Sequence, residues 1–252
     1  MIFLVKAMVI TGGLLASVAL VSGCGLQNIT RAANKETVTY DVKDKVARVV
    51  LVGGSGDIEV DEADGGGGVK VDETLRWSSG KPVTEHKVEG DALVMSYECP
   101  HAMDNCSVNY KVKVPKGMRV EAKVGSGDIR LNALSGPTKV ETGSGDVYLT
   151  ELSGPITAKV GSGDLEGTGL TGTELKVQAG SGNATLKYAT PPDNIDVSAG
   201  SGDAKITLPE GPYSVDAQTK TGDTTVSVKT DPSSPHRAVI RTGSGNITLL
   251  PA

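Results

Sequence analysis

Apolar and polar residues alternate with a period of two through most of the chain beyond residue 40. Ile129 and Leu131 alternate with Arg130 and Asn132, and Thr138 and Val140 alternate with Lys139 and Glu141. Successive side chains of a β-strand point to opposite faces, so this pattern predicts strands with one buried and one wet face. The same register continues in Val147/Leu149, Ile156/Ala158/Val160, Leu175/Val177/Ala179, Ile195/Val197/Ala199, Ala204/Ile206/Leu208 and Tyr213/Val215/Ala217. No helix is expected after residue 23.

The strands are punctuated by a repeat. Gly-Ser-Gly-Asp stands at Gly125–Asp128, Gly143–Asp146 and Gly161–Asp164, with starts 18 residues apart. It continues as Gly180–Asn183, Gly200–Asp203, the degenerate Lys220-Thr221-Gly222-Asp223 and Gly243–Asn246, with an early copy at Gly54–Asp57. Each period carries a second turn in its middle, as in Leu134-Ser135-Gly136-Pro137 and Leu152-Ser153-Gly154-Pro155. One rung of 18–20 residues is therefore two short strands, and stacked rungs predict an all-β, β-helix-like solenoid with a thin aliphatic core. The turn glycines are expected to supply positive φ, which Gly adopts without a Cβ clash.

The expected organisation is a leader at 1–23, a polar tether at 24–40 and one solenoid domain at 41–250. Within that domain, 41–115 reads as irregular opening rungs and cap, because Gly54–Asp57 already carries the repeat motif, and 116–250 as regular rungs. The runs Ala47–Val52, Val69–Asp72, Ala92–Tyr97 and Val108–Val114 are the strands of the opening part.

The leader has a charged start, Lys6, and an apolar run from Ala7 to Val21 that is short for a bilayer span. It closes on Leu20-Val21-Ser22-Gly23-Cys24, which resembles a bacterial lipobox, so Cys24 is the expected lipidation site and new N-terminus. An uncleaved membrane anchor is the alternative, and both place the remainder outside the cytoplasm. Loss of residues 1–23 removes only Lys6, leaving 24 basic against 30 acidic side chains, a balance that argues against a nucleic-acid partner. Cys99 and Cys106 form an even, closely spaced pair and are expected as a disulfide. A metal site that adds His101 would still lack a fourth zinc ligand, so no metal is assigned. Trp77 is the only tryptophan, and the one Phe, Phe3, lies in the leader.

The reiterated Gly-Ser-Gly-Asp/Asn units, Val112-Lys113-Val114-Pro115-Lys116-Gly117 and Glu89-Gly90-Asp91-Ala92-Leu93-Val94 together resemble the DUF4097-type bacterial adhesin domains over roughly residues 41–250. That resemblance implies a β-solenoid at the cell envelope and brings no catalytic motif to any position.

Sharper chemistry meets plainer readings. Gly167-Thr168-Gly169-Leu170-Thr171-Gly172 spells the dinucleotide fingerprint GxGxxG, but the strand Glu174–Val177 follows where a helix is required. His86, His101 and His236 are far apart in sequence and no GxSxG elbow accompanies them. Arg130, Lys139, Glu141, Lys159, Glu166, Glu174 and Lys176 could form the charged face of a polysaccharide-active β-helix enzyme, although mixed outward charge is what any soluble solenoid shows. Stacked Asp128, Asp146 and Asp164 could bridge calcium in a β-roll-like module. Asn at 183 and 246 favours a turn role instead, the side chain accepting from backbone N–H groups. The expectation is a lipid-anchored, non-catalytic envelope scaffold with a protein or glycan partner and no cofactor.

Overall fold

The computed structural model describes residues 34–252 except 64, 66 and 102–104. The leader, Cys24 and residues 24–33 lie outside the described residues. Every regular element among the described residues is a strand. The first seven are β1 (Asn34–Val42), β2 (Arg48–Ser55), β3 (Ile58–Glu62), β4 (Val69–Trp77), β5 (Val83–Glu89), β6 (Ala92–Glu98) and β7 (Cys106–Val114). The regular array follows as β8 (Arg119–Ser126), β9 (Ile129–Asn132), β10 (Thr138–Ser144), β11 (Val147–Thr150), β12 (Ile156–Ser162), β13 (Leu165–Leu170), β14 (Glu174–Ser181), β15 (Ala184–Tyr188), β16 (Asn194–Ser201) and β17 (Ala204–Leu208). The chain ends with β18 (Pro212–Thr221), β19 (Thr224–Val226), β20 (Lys229–Thr230), β21 (Arg237–Ser244) and β22 (Ile247–Pro251).

These strands form two 11-stranded sheets facing one another. One runs β1-β4-β7-β3-β9-β11-β13-β15-β17-β22-β19 and is called sheet A; sheet B runs β5-β6-β2-β8-β10-β12-β14-β16-β21-β18-β20. Each rung gives one strand to each sheet, and the repeat is held in register: Ser126, Ser144, Ser162, Ser181 and Ser201 are successive partners. Period-two burial follows the sequence pattern. Val140 is 1 % exposed between the sheets, and its neighbour Lys139 faces solvent. Because rungs are parallel and continuous, each buries its apolar edge only on its neighbours.

The stacking departs from chain order at both ends. β2 and β3 lie between β6/β7 and β8/β9, and the last rung, β21/β22, lies beneath β18/β19, against β16/β17. The expected tether is also shorter. β1 begins at Asn34 and pairs antiparallel with β4 along its whole length, turning Val38, Tyr40 and Val42 inward. That alternation spans too few apolar residues to stand out among polar neighbours. β1, β4 and β5 are the antiparallel members of the fold and close its N-terminal end.

Candidate functional site

Two corners, one per half-rung, carry the repeat residues. At the first, Gly145 has φ +137°, and a Cβ there would lie 2.1 Å from the Gly127 carbonyl oxygen of the adjacent rung. At the second, Gly154 needs no positive φ, yet a Cβ would meet the Gly136 oxygen at the same 2.1 Å. The expected conformational reason for the glycines is therefore half of the cause. Close approach of stacked backbones is the other half.

The Asp/Asn position has a role between rungs. Each Oδ1 accepts from the backbone N–H of the equivalent residue one rung on. The chain of bonds runs Asn109, Asp57, Asp128, Asp146, Asp164, Asn183, Asp203, Asn246, Asp223, at 2.7–3.3 Å. Asp and Asn are interchangeable there because both offer that oxygen. The turn role expected from the Asp/Asn mixture is thus met by a bond reaching the neighbouring turn instead of its own. Where Oδ2 of Asp128 and Asp146 is engaged, its partners are Arg130 at 2.7 Å and the Tyr148 hydroxyl at 3.2 Å. Among the described residues no group of three or more His, Cys, Asp or Glu could hold a metal ion.

Glu62 ties the other corner. Its Oε2 accepts from the Gly117 N–H at 3.2 Å and from the Ser135 N–H at 2.9 Å and hydroxyl at 2.6 Å. Partial burial raises its pKa, and these donors outweigh that effect and hold the carboxyl below its ordinary value.

The charged residues offered as one enzymatic face are divided. Arg130 and Glu166 stand on sheet A, whereas Lys139, Glu141, Lys159, Glu174 and Lys176 belong to sheet B. On sheet B, Lys123 and Lys159 flank Glu141 at 3.4 and 3.9 Å, an exposed arrangement worth little stability. The GxGxxG segment follows the same logic as its neighbours: β13 runs through Leu170 and β14 follows at Glu174, with no helix to receive a phosphate. His86 stacks on Tyr40 at the N-terminal end, with ring centroids 4.5 Å apart. His236 lies near the other end, its Nδ1 2.9 Å from the Pro192 carbonyl oxygen.

Sequence reasoning missed a carboxyl group inside the core. Glu73 is 1 % exposed, and the Tyr40 hydroxyl donates to it at 2.6 Å. Tyr110 is its cross-strand partner, buried, and its hydroxyl has no hydrogen-bond partner among the described residues. Burial, then the charge of Glu73, pushes both phenols far above their usual range. The signal was present in Val69-Lys70-Val71-Asp72-Glu73-Thr74-Leu75, where Glu73 occupies the inward register of Val71 and Leu75.

The Cys99–Cys106 disulfide is formed. It fixes the first residue of β7 beside the end of β4, where the Ser78 N–H donates to the Asn105 carbonyl at 3.1 Å. An open groove of about 530 Å³ lies there, lined by Arg76, Trp77, Asn105 and the serines at 55, 78 and 107. Lys81 sits over the Trp77 ring at 5.7 Å and is tied to Glu36 at 2.8 Å.

Two facing parallel sheets, glycine corners and an Asx ladder define a β-solenoid-like stacked-rung protein with an antiparallel cap at one end. The family description Toastrack DUF4097 matches residues 43–250, and the chain belongs to that family. No curated protein matches. Solved structures similar to this chain include a "putative cell adhesion protein" from Clostridium sporogenes, 12 % identical, covering 87 % of this chain and 100 % of that one at a TM-score of 0.36. A "putative adhesin" from Bacteroides fragilis is 15 % identical over 85 % and 97 % of the two chains, at a TM-score of 0.41. A "putative lipid binding protein" from Parabacteroides distasonis is 12 % identical over 85 % and 96 %, at a TM-score of 0.28.

Proposed function

We propose that this protein is an exported, lipid-anchored binding module of the cell envelope, working by presentation of its surface and not by catalysis. The observation that carries the reading is the pair of outward sheet faces, whose mostly polar rows run in register from rung to rung across β8–β17, with valines entering the outward rows of sheet B only at its flanks, Val50, Val52 and Val94 on one side and Val239 on the other. Such a surface suits an extended protein or glycan partner, since successive rungs repeat at about the 4.8 Å strand spacing. The disulfide supports a location outside the reducing cytoplasm. The Ser22-Gly23-Cys24 sequence supports acylation at Cys24, which would place the anchor ten residues before the start of β1 at Asn34 and hold the N-terminal end toward the membrane.

The test is Cys24→Ala in cells that normally retain the protein. The variant is expected to leave the membrane fraction for the soluble or unprocessed pool, and cells carrying it to lose adhesion to surfaces that the native protein supports. Unchanged retention with normal processing refutes the anchor, and unchanged adhesion refutes the tethered-module reading.

A further inference from the structure

We propose that the open C-terminal end binds a second copy of this chain, end to end about a two-fold axis, with each sheet continued from one copy into the other. The partner meets the end of the solenoid and not its outward faces, so the inference goes beyond the reading above. The backbone is the first observation. The Ser214 N–H donates to the His236 carbonyl at 2.8 Å, which turns the main-chain groups of Ser214, Asp216 and Gln218 toward β21. Alternation sends those of Val215, Ala217 and Thr219 the other way, where β20 stops at Tyr213 and no described strand pairs with them. On sheet A the Ser227 N–H bonds to the Leu249 carbonyl, and the outer side of β19 is equally free among the described residues. Unpaired N–H and C=O groups on two facing sheets make a double edge.

The core is the second observation. Ala238, Ile240 and Leu249 of the rung beneath are 0 % exposed, yet Val215 and Ala217, stacked on the first two, are half-buried. Val226, stacked on Leu249, is exposed. These three residues line an open slot of about 370 Å³. Covering it would remove apolar surface from water, as the next rung does everywhere deeper in the stack.

Two edges with a slot between them select the occupant. A foreign strand would continue one sheet and leave the other edge and the slot uncovered. A second copy brings the same two edges at the same separation, about 10 Å for packed sheets. The two-fold axis makes each new pair antiparallel, β18 with β18 and β19 with β19. Centred on Ala217, the middle of the free stretch, it sets Val215 opposite Thr219 and Ala217 opposite itself. Asp216 then faces Gln218 of the copy and not another carboxylate, so no like charges oppose one another. That amide already donates to Asp216 within one chain, at 2.8 Å. An end face of this size buries less than the ~1,200 Å² typical of stable complexes, so dilute protein keeps the end open and concentrated protein pairs. The axis points the two N-terminal ends apart. Pairing therefore joins anchored copies on facing surfaces, a consequence that rests on the binding-module reading.

Sedimentation equilibrium of the full-length protein in density-matched detergent is expected to show one chain in equilibrium with two, and nothing larger. The Ala217 N–H points to the free edge, so Ala217→Pro removes a donor that only the partner uses. It should weaken pairing by about tenfold or more, with the melting temperature of dilute protein unchanged. Val226→Glu, which sets a charge in the slot, should weaken pairing as much, and it decides the matter if the proline variant fails to fold. Val88→Glu, at the opposite end, should pair as the native chain does. The proposal falls if the native protein stays a single chain up to millimolar concentration, if masses grow beyond two chains, if Val226→Glu pairs as tightly as native, or if Val88→Glu abolishes pairing. A protein that stays monomeric while Cys24→Ala leaves the membrane removes the pairing and leaves the anchored module standing. One that pairs while Cys24→Ala is retained removes the anchor and leaves the pairing.

Discussion

The two ends of the solenoid solve the same problem differently. At the N-terminal end, the strands β1, β4 and β5 run antiparallel to their neighbours, the Tyr40 and His86 rings stack across the gap between the sheets, and the disulfide braces the flank. One strand in from that end the inward residues are sealed, Leu93 and Met95 being 0 % exposed, while Val88 on the outermost β5, opposite Leu93, stays 44 % exposed. At the C-terminal end the outermost rung, β18/β19, keeps the parallel direction, and β20 covers only Pro212 and Tyr213. The inward residues Val215 and Ala217 remain half-buried there, and Val226 is 37 % exposed. Identical alternation in sequence thus buries a side chain only when another rung or a cap follows it.

The largest test of that difference uses the middle as reference. Val140→Asp would set an unpaired carboxylate between two sealed sheets and should cost about 4 kcal/mol, while Lys139→Asp on the wet face should change stability by less than about 0.5 kcal/mol. Equal urea midpoints for the two would show the inward assignment to be wrong. Next, Leu93→Ala at the capped end should cost about 2–4 kcal/mol, whereas Val226→Ala at the open end should cost under about 1 kcal/mol. A comparable loss in the two would mean that the C-terminal end is closed in solution.

Much of this was legible in the chain. The rungs, corners and inward rows follow from period-two alternation and the Gly-Ser-Gly-Asp spacing, because each is a local consequence of strand and turn geometry. What the sequence concealed was non-local. Asp203 is followed in sequence by Asp223, but its side chain bonds the N–H of Asn246, since nothing local marks which rung stacks on which. Asn109 starts the ladder from Ser107-Val108-Asn109-Tyr110, which carries no repeat motif at all. Glu73 was hidden by composition, an acidic residue among acidic neighbours whose register alone sets it apart. The Trp77 groove joins residues from three separated segments and had no single sequence signature.

A smaller effect concerns Glu62, which links the cap to the first regular corner. Its folded pKa is depressed, so its contribution is fully present above the unfolded value and is lost as pH falls through the folded one. Glu62→Gln should cost about 1 kcal/mol at neutral pH, with solvent screening keeping it modest. Thermal melts should show the difference from native shrinking as the pH drops below the ordinary carboxylate range; a constant difference would mean that shape, not charge, holds that corner.

The smallest expected change comes from replacing Asp128, Asp146 and Asp164 together by Asn. Each keeps the Oδ1 acceptor for the next rung, and relief of the stacked charge offsets loss of the exposed Arg130–Asp128 pair, so stability at low salt should change by less than about 1 kcal/mol. Calcium should leave the native and the triple variant alike. A calcium-dependent rise in melting temperature seen only in the native chain would show that the ladder binds the ion, as mass action requires.

The placement of β21/β22 beneath β18/β19 has a bearing on how the molecule is completed. A chain that emerges N-terminus first can stack its rungs one upon another only as far as β16/β17. The next segment to appear is the one that belongs outermost, and its proper seat does not exist until residues 237–251 arrive. The closing stretch from Arg237 to Pro251 is therefore a keystone, not a tail. Removing it would strand β18/β19 against a surface whose register was built for another rung. Any change within this segment would act on a long-range pairing of the fold, which loop closure makes slow to form.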